Sequence, residues 1–150
     1  MQLESNMAGY QVMGHNECVA AIIERKRKSS RWIGGEVKLP NGKIADALAL
    51  SAFDTITIWE VKSRWRVSEL IEAWDKYSWY ADYLWFVSLA LADADWNAFS
   101  GQSAWPSRAA AAGVLSYLGG SPRVFRLGSR ILGDQRARAI LRHRILCGEL

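Results

Sequence analysis

Asp46, Glu60 and Lys62 are the side chains whose types and spacing best suit shared chemistry. Asp46 falls in the run Ile44-Ala-Asp-Ala-Leu-Ala-Leu50, and Glu60 in Thr55-Ile-Thr-Ile-Trp-Glu-Val-Lys62. Strand side chains repeat every two residues, which puts Asp46 on one face with Ile44, Leu48 and Leu50, alanines on the other. Glu60 and Lys62 likewise share a face with Ile56 and Ile58. Their neighbours mark these as core-facing positions, where an ionised carboxylate is costly unless it is paired or bound to a metal. If the turn from Ser51 to Asp54 holds Ser51 opposite Thr55, Asp46 falls opposite Glu60, with side chains roughly 5 Å apart. Two like charges at that spacing oppose strand pairing. A divalent cation between them removes the conflict, and carboxylate oxygens suit Mg²⁺ or Mn²⁺ rather than zinc. A slip of one residue in register would send the two to opposite faces. Lys62, about 7 Å further along the strand, can balance the carboxylates, orient an attacking water or offset charge growing on a phosphate. It can equally reach solvent from the strand end or simply neutralise Glu60.

The elements that must position these residues follow from periodicity. Asn16 to Lys28 reads as a helix, with Cys18, Val19, Ile22 and Ile23 as its apolar stripe and Arg25-Lys26-Arg27-Lys28 complementing the dipole at its end. Strands are expected at Trp32–Leu39, at Ile44–Leu50 after the tight turn Pro40-Asn41-Gly42, and at Thr55–Lys62. Val67 to Ala81 has helical spacing, with Val67, Leu70, Ile71, Trp74, Tyr77, Ser78 and Ala81 on one side. Tyr83 to Leu91 is an almost unbroken apolar run, as expected of a strand covered on both faces. Asp93 to Pro106 is polar and irregular. Strands at Val114–Leu118 and Val124–Leu127 and a final helix at Gln135–Leu146 complete the pattern of one α/β domain spanning residues 1–150.

Composition agrees. The chain has 150 residues, 50% of them apolar, enough for one core. A charged fraction of 23% and only three prolines exclude disorder and collagen-like repeats. No run of about 18 apolar residues predicts a membrane span, and Met1 to Asn6 lacks the features of a secretory signal. Cys18 and Cys147, far apart and without metal-like spacing, read as free thiols in a reducing cytoplasm. His15 and His143 show no zinc-like spacing either. The net charge of +4 is unevenly placed: seven arginines lie between Ser121 and Leu150 against Asp134 and Glu149. Such asymmetry suits a phosphate backbone or an anionic membrane surface, or else a solvated face.

The order of these features, with Ile44-Ala45-Asp46 and then Glu60-Val61-Lys62, resembles the PD-(D/E)XK nuclease superfamily, without the proline of the first motif. Within it the chain looks like the MmcB family of DNA-repair-associated endonucleases. That resemblance runs through Glu36–Asp46, Ile58–Ser63, Trp74-Asp-Lys-Tyr77, Ala81-Asp82, Gly113-Val-Leu and the arginine-rich last helix, roughly residues 15 to 146. It implies a restriction-endonuclease-like fold, a central mixed β-sheet flanked by helices. It also implies that Asp46, Glu60 and the Val61 carbonyl hold Mg²⁺ or Mn²⁺, that Lys62 positions or activates the water, and that Glu17 supports the metal from the first helix.

The expected function is therefore metal-dependent hydrolysis of phosphodiester bonds in DNA, in repair, recombination or mobile-element processing. Ser63 is placed to donate to a phosphate or to end the strand. Trp65, between Arg64 and Arg66, can stack on a base or pack in the core. Arg123, Arg126, Arg130, Arg138 and Arg142 are candidate phosphate contacts. Glu36 is expected to pair with Lys38 or Lys43, Trp74 and Tyr77 to pack, and Asp82 to hold a loop. Cutting two strands with one site each takes two copies, which leaves room for a homodimer. The rival readings are a DNA-binding module without catalysis and a protein-interaction factor on the same fold.

Overall fold

The structure, a computed structural model, describes residues 12–92, 96 and 105–150. Six strands form one sheet in sequential order: β1 (Ser30–Lys38), β2 (Ile44–Ser51), β3 (Ile56–Lys62), β4 (Tyr83–Ser88), β5 (Gly113–Ser116) and β6 (Arg123–Arg126). β1, β2 and β3 run antiparallel through two hairpins, β4 and β5 lie parallel to β3, and β6 returns antiparallel. The expected mixed sheet flanked by helices is therefore present. Among the described residues no helix is long and apolar enough to cross a membrane. The expectation of no secretory signal at Met1–Asn6, and nearly all of the irregular 93–106 connection, lie outside the described residues.

Helix α1 (His15–Lys26) covers one face, burying Cys18, Val19 and Ile22 against Ala47, Ala49, Trp59, Val61 and Val87. Helices α2 (Val67–Tyr77) and α3 (Gln135–Leu146) cover the other. There Leu70, Ala73, Tyr77, Leu141 and Ile145 pack with Leu48, Leu50, Ile56, Ile58, Leu84 and Phe86. Burying both faces of a sheet in this way is the main source of its stability.

Two expectations need correction. α2 stops at Tyr77 rather than Ala81, because the chain must turn back at once: the N–H of Asp82 donates to the carbonyl of Ile56, which fixes the start of β4. The alternation along β2 also breaks at Asp46. Ile44 is exposed, and Ala45 joins Leu48 and Leu50 in the α2–α3 core instead of joining Ala47 and Ala49. Opposite Asp46 in the β1 register stands Glu36, with a left-handed backbone at φ 51° that costs a non-glycine residue about 1 kcal/mol.

A buried ion pair ties α3 to the sheet. Asp82, fully buried, accepts from the Ile56 N–H at 2.8 Å through Oδ2 and faces Arg138 Nη1 at 3.4 Å through Oδ1. The Asp82 carbonyl takes the Ile131 N–H. Burial lowers the Arg138 pKa, Asp82 opposes the shift, and the charges of Arg130 and Arg142 reinforce it. Arg138 Nε and Nη2 have no hydrogen-bond partner among the described residues.

Candidate functional site

The β2–β3 ladder pairs Leu50 with Ile56, Leu48 with Ile58 and Ala47 with Trp59, and one more step sets Asp46 opposite Glu60. Asp46 and Glu60 reach the same level of the ladder, as the register predicted, but they do not share the expected face: Asp46 Oδ2 meets His15 at the start of α1, whereas Glu60 lies on the α2 side with Tyr77. At this level side chains take over from ladder hydrogen bonds. The Asp46 N–H donates to Glu60 Oε1 at 2.9 Å, and the Val61 N–H donates to Asp46 Oδ2 at 2.8 Å. Each strand thus satisfies its carboxylate with the other strand's backbone, and each carboxylate keeps a second oxygen outside these bonds.

Their electrostatics are unequal. Glu60 is largely desolvated on the α2 side of β3; this desolvation first, and then the charge of Asp46, push its carboxyl up to about 7. The Asp46 N–H, Tyr77 and Lys76 oppose that rise. Tyr77 lies over the same spot from α2, its hydroxyl donating to the Ile44 carbonyl at 2.9 Å. Burial and the nearby Glu60 raise the Tyr77 pKa, so this hydroxyl stays protonated.

His15 is the residue that sequence spacing missed. It opens α1 and sets Nε2 3.3 Å from Asp46 Oδ2, with Nδ1 3.3 Å from Asn16 Oδ1. Partial burial lowers its pKa, but hydrogen bonds to Asn16 and Asp46 and the charges of Asp46 and Glu60 more than compensate, and the net shift is upward. No local motif signals a partner so far along the chain; only its place at the helix start, beside the candidate Glu17, hinted at it. Glu17 itself caps the helix, its Oε1 taking the Gly14 N–H at 3.4 Å. Cys18, next on the stripe, is buried, and desolvation with the Asp46 charge raises its thiol to about 12, which leaves it inert.

Lys62 closes β3 but turns toward α2: Nζ lies 2.8 Å from Glu69 Oε2 and 5.4 Å from the centre of the Trp65 ring. Glu69 also accepts the Arg66 N–H at 2.9 Å, and the bond to Lys62 is the main cause of its lowered pKa. Trp65 packs as core, with its ring 4.8 Å from Phe86 and Nε1 donating to the Val87 carbonyl at 3.0 Å. Of the two roles open to Trp65, the structure shows packing. Arg64 and Arg66 flank it and are exposed, and Ser63 uses its carbonyl to accept Ser88 Oγ and the Ala90 N–H.

The C-terminal arginines divide. Arg138 is fully buried against Asp82 and cannot reach a phosphate, which corrects that expectation. The position is consistent with the helical stripe through Leu141 and Ile145, three and seven residues on. Arg126 clamps the carbonyls of Ala110 at 2.7 Å and Ala112 at 3.2 Å and covers the Trp105 ring. Arg130 is exposed with Nη2 3.5 Å from Asp82, Arg123 is exposed over the Phe125 ring, and Arg142 is half-buried.

No family model matches the chain, and no curated protein matches it. It is similar in structure to the "SPO1766 protein of unknown function from Silicibacter pomeroyi", at 15% identity and a TM-score of 0.63, over 93% of this chain and 88% of that one. At that identity the likeness is one of fold.

Proposed function

We propose that this chain is a Mg²⁺- or Mn²⁺-dependent nuclease that hydrolyses phosphodiester bonds in DNA, on a restriction-endonuclease-like form of the mixed sheet. The observation that carries this reading is the interlock of Asp46 and Glu60 at the open end of the β2–β3 pairing. Two hard carboxylates, one of them desolvated and pushed up to about 7, are a donor set that a hard divalent cation fits. Asp46, Glu60 and the Val61 carbonyl would hold it. Such a cation supplies polarisation of the scissile phosphate and a bound water of lowered pKa.

The chain's own residues do the rest. His15, braced by Asp46 and Asn16, with its pKa raised by those contacts, is placed to pass a proton to the leaving oxygen. Lys62, at the strand end, offsets charge on the phosphate once it exchanges Glu69 for substrate. Arg64 and Arg66, exposed just beyond it, are suited to the DNA backbone, as are Arg123, Arg130 and Arg142.

A second reading, a DNA-binding module without cleavage, is favoured by one contact, the engagement of Lys62 with Glu69. One experiment separates them. The purified protein is incubated with supercoiled and linear DNA and Mn²⁺, alongside Asp46→Ala, Glu60→Gln and Lys62→Ala variants. Cleavage lost in all three supports the nuclease. Activity unchanged in the Glu60 variant refutes it, and salt-sensitive binding without cleavage, retained in the variants, points to the second reading.

A further inference from the structure

The spacing of His143 and Cys147 escapes a search for zinc motifs, yet on a helix four residues is one turn. In α3 the two side chains meet: Cys147 Sγ lies 3.6 Å from His143 Nε2 and 3.8 Å from Nδ1. A third ligand arrives by a built turn. Gly148, at φ 68°, ends the helix in the left-handed conformation, its N–H donating to the Ile145 carbonyl at 3.2 Å. The Glu149 N–H then donates back to the Arg144 carbonyl at 2.9 Å. These two bonds are the Schellman pattern, and they fold Glu149 back over the last turn. A ligand atom from each of His143, Cys147 and Glu149 then lies within 4.8 Å of the others.

We propose that His143, Cys147 and Glu149 form a zinc-binding site at the C-terminal end of α3. Two ligands on one tetrahedral zinc, with Zn–S of about 2.3 Å and Zn–N of about 2.05 Å, stand about 3.6 Å apart; Sγ is that close to Nε2 but nearly as close to Nδ1, so the imidazole must turn to aim a lone pair at the metal. Thiolate, imidazole and carboxylate are a borderline-to-soft set that selects zinc over the hard cations suited to Asp46 and Glu60. The thiolate and the carboxylate together balance the dication. The C-terminal end of the helix dipole adds a negative partial charge there. On binding, the Cys147 thiol gives up its proton to solvent as the Zn–S bond forms. All three residues are exposed, so the fourth position is open to water.

The test uses the full chain, reduced, stripped with EDTA and dialysed. It is titrated with Zn²⁺ in competition with a chromophoric chelator, and with Co²⁺ as a spectroscopic probe. The expected result is one zinc per chain at this site and a thiolate-to-cobalt charge-transfer band. Cys147→Ser abolishes the band, and both Cys147→Ser and His143→Ala weaken zinc binding at least about tenfold. Cys18→Ser and Asp46→Asn each keep the band, so failure of the carboxylate site and failure of this one read out separately. Because the three residues are exposed, the variants keep the parent circular dichroism spectrum. No zinc bound, a band surviving in Cys147→Ser, or zinc affinity unchanged in both ligand variants would overturn the proposal and leave only a thiol–imidazole hydrogen bond.

Discussion

Glu60→Gln is expected to stabilise the metal-free protein, and to do so only above a particular pH. Glu60 titrates at its ordinary value of 4.5 when unfolded and at about 7 when folded. Between those values the folded state holds a proton that the unfolded state has released, so stability falls as pH rises through the window. A rise from 4.5 to about 7 corresponds to about 3 kcal/mol, present in full at pH 4 and lost by pH 8. The amide introduced by Glu60→Gln keeps an oxygen for the Asp46 N–H and removes both the desolvated charge and its repulsion from Asp46. Urea denaturation of both proteins in EDTA at pH 4, 6 and 8 reads the difference directly. The two should match at pH 4, and the variant should lead by about 3 kcal/mol at pH 8, or about 6 to 12 °C in melting temperature for a chain of this size. Adding Mn²⁺ at pH 8 should raise the wild type and leave Glu60→Gln nearly unmoved, since only a ligand of the folded state shifts the balance. A variant less stable than wild type at pH 8, or a difference that does not change with pH, would refute the reasoning.

Three further outcomes follow from other contacts. Asp82→Asn leaves the fully buried Arg138 without its counter-charge and should cost about 3 to 5 kcal/mol, measured by thermal and urea unfolding. Gly113→Ala drives a methyl into the Trp85 ring, which lies across the glycine from the neighbouring strand; it should destabilise by about 1 to 3 kcal/mol with a change in tryptophan fluorescence. Glu69→Gln weakens the hold on the Lys62 ammonium and should raise DNA cleavage with Mn²⁺ several-fold, with little change in unfolding midpoint because the pair is solvent-screened.

What sequence reveals here depends on how far apart the cooperating residues lie. The level at which Asp46 and Glu60 meet was legible because a short turn fixes register, but the side was not, because the alternation of β2 breaks at Asp46. The limits of α3 fall where expected, and the structure shows why: the Asp134 side chain takes the Arg136 N–H at the helix start, and Gly148 lies past its end. The departure of Ala45 from its expected face was not legible, because it follows from a left-handed Glu36 on a different strand. His15 was hidden for a similar reason: its partner is chosen by how α1 lies on the sheet, which no pattern within the helix records. Arg138 was misread because a positive charge suggests solvent. The stripe it shares with Leu141 and Ile145 carried the better information.

The tie between Asp82 and Arg138 also bears on how the chain matures. The acid leaves the ribosome 56 residues before the base, a delay of about 3 to 11 seconds at ordinary elongation rates. During that interval the carboxylate lacks the counter-charge that it has once buried. The sheet can finish closing only when the last helix docks, so a translational pause ahead of codon 138 would lengthen the time for which apolar strands are available to chaperones, proteases or one another.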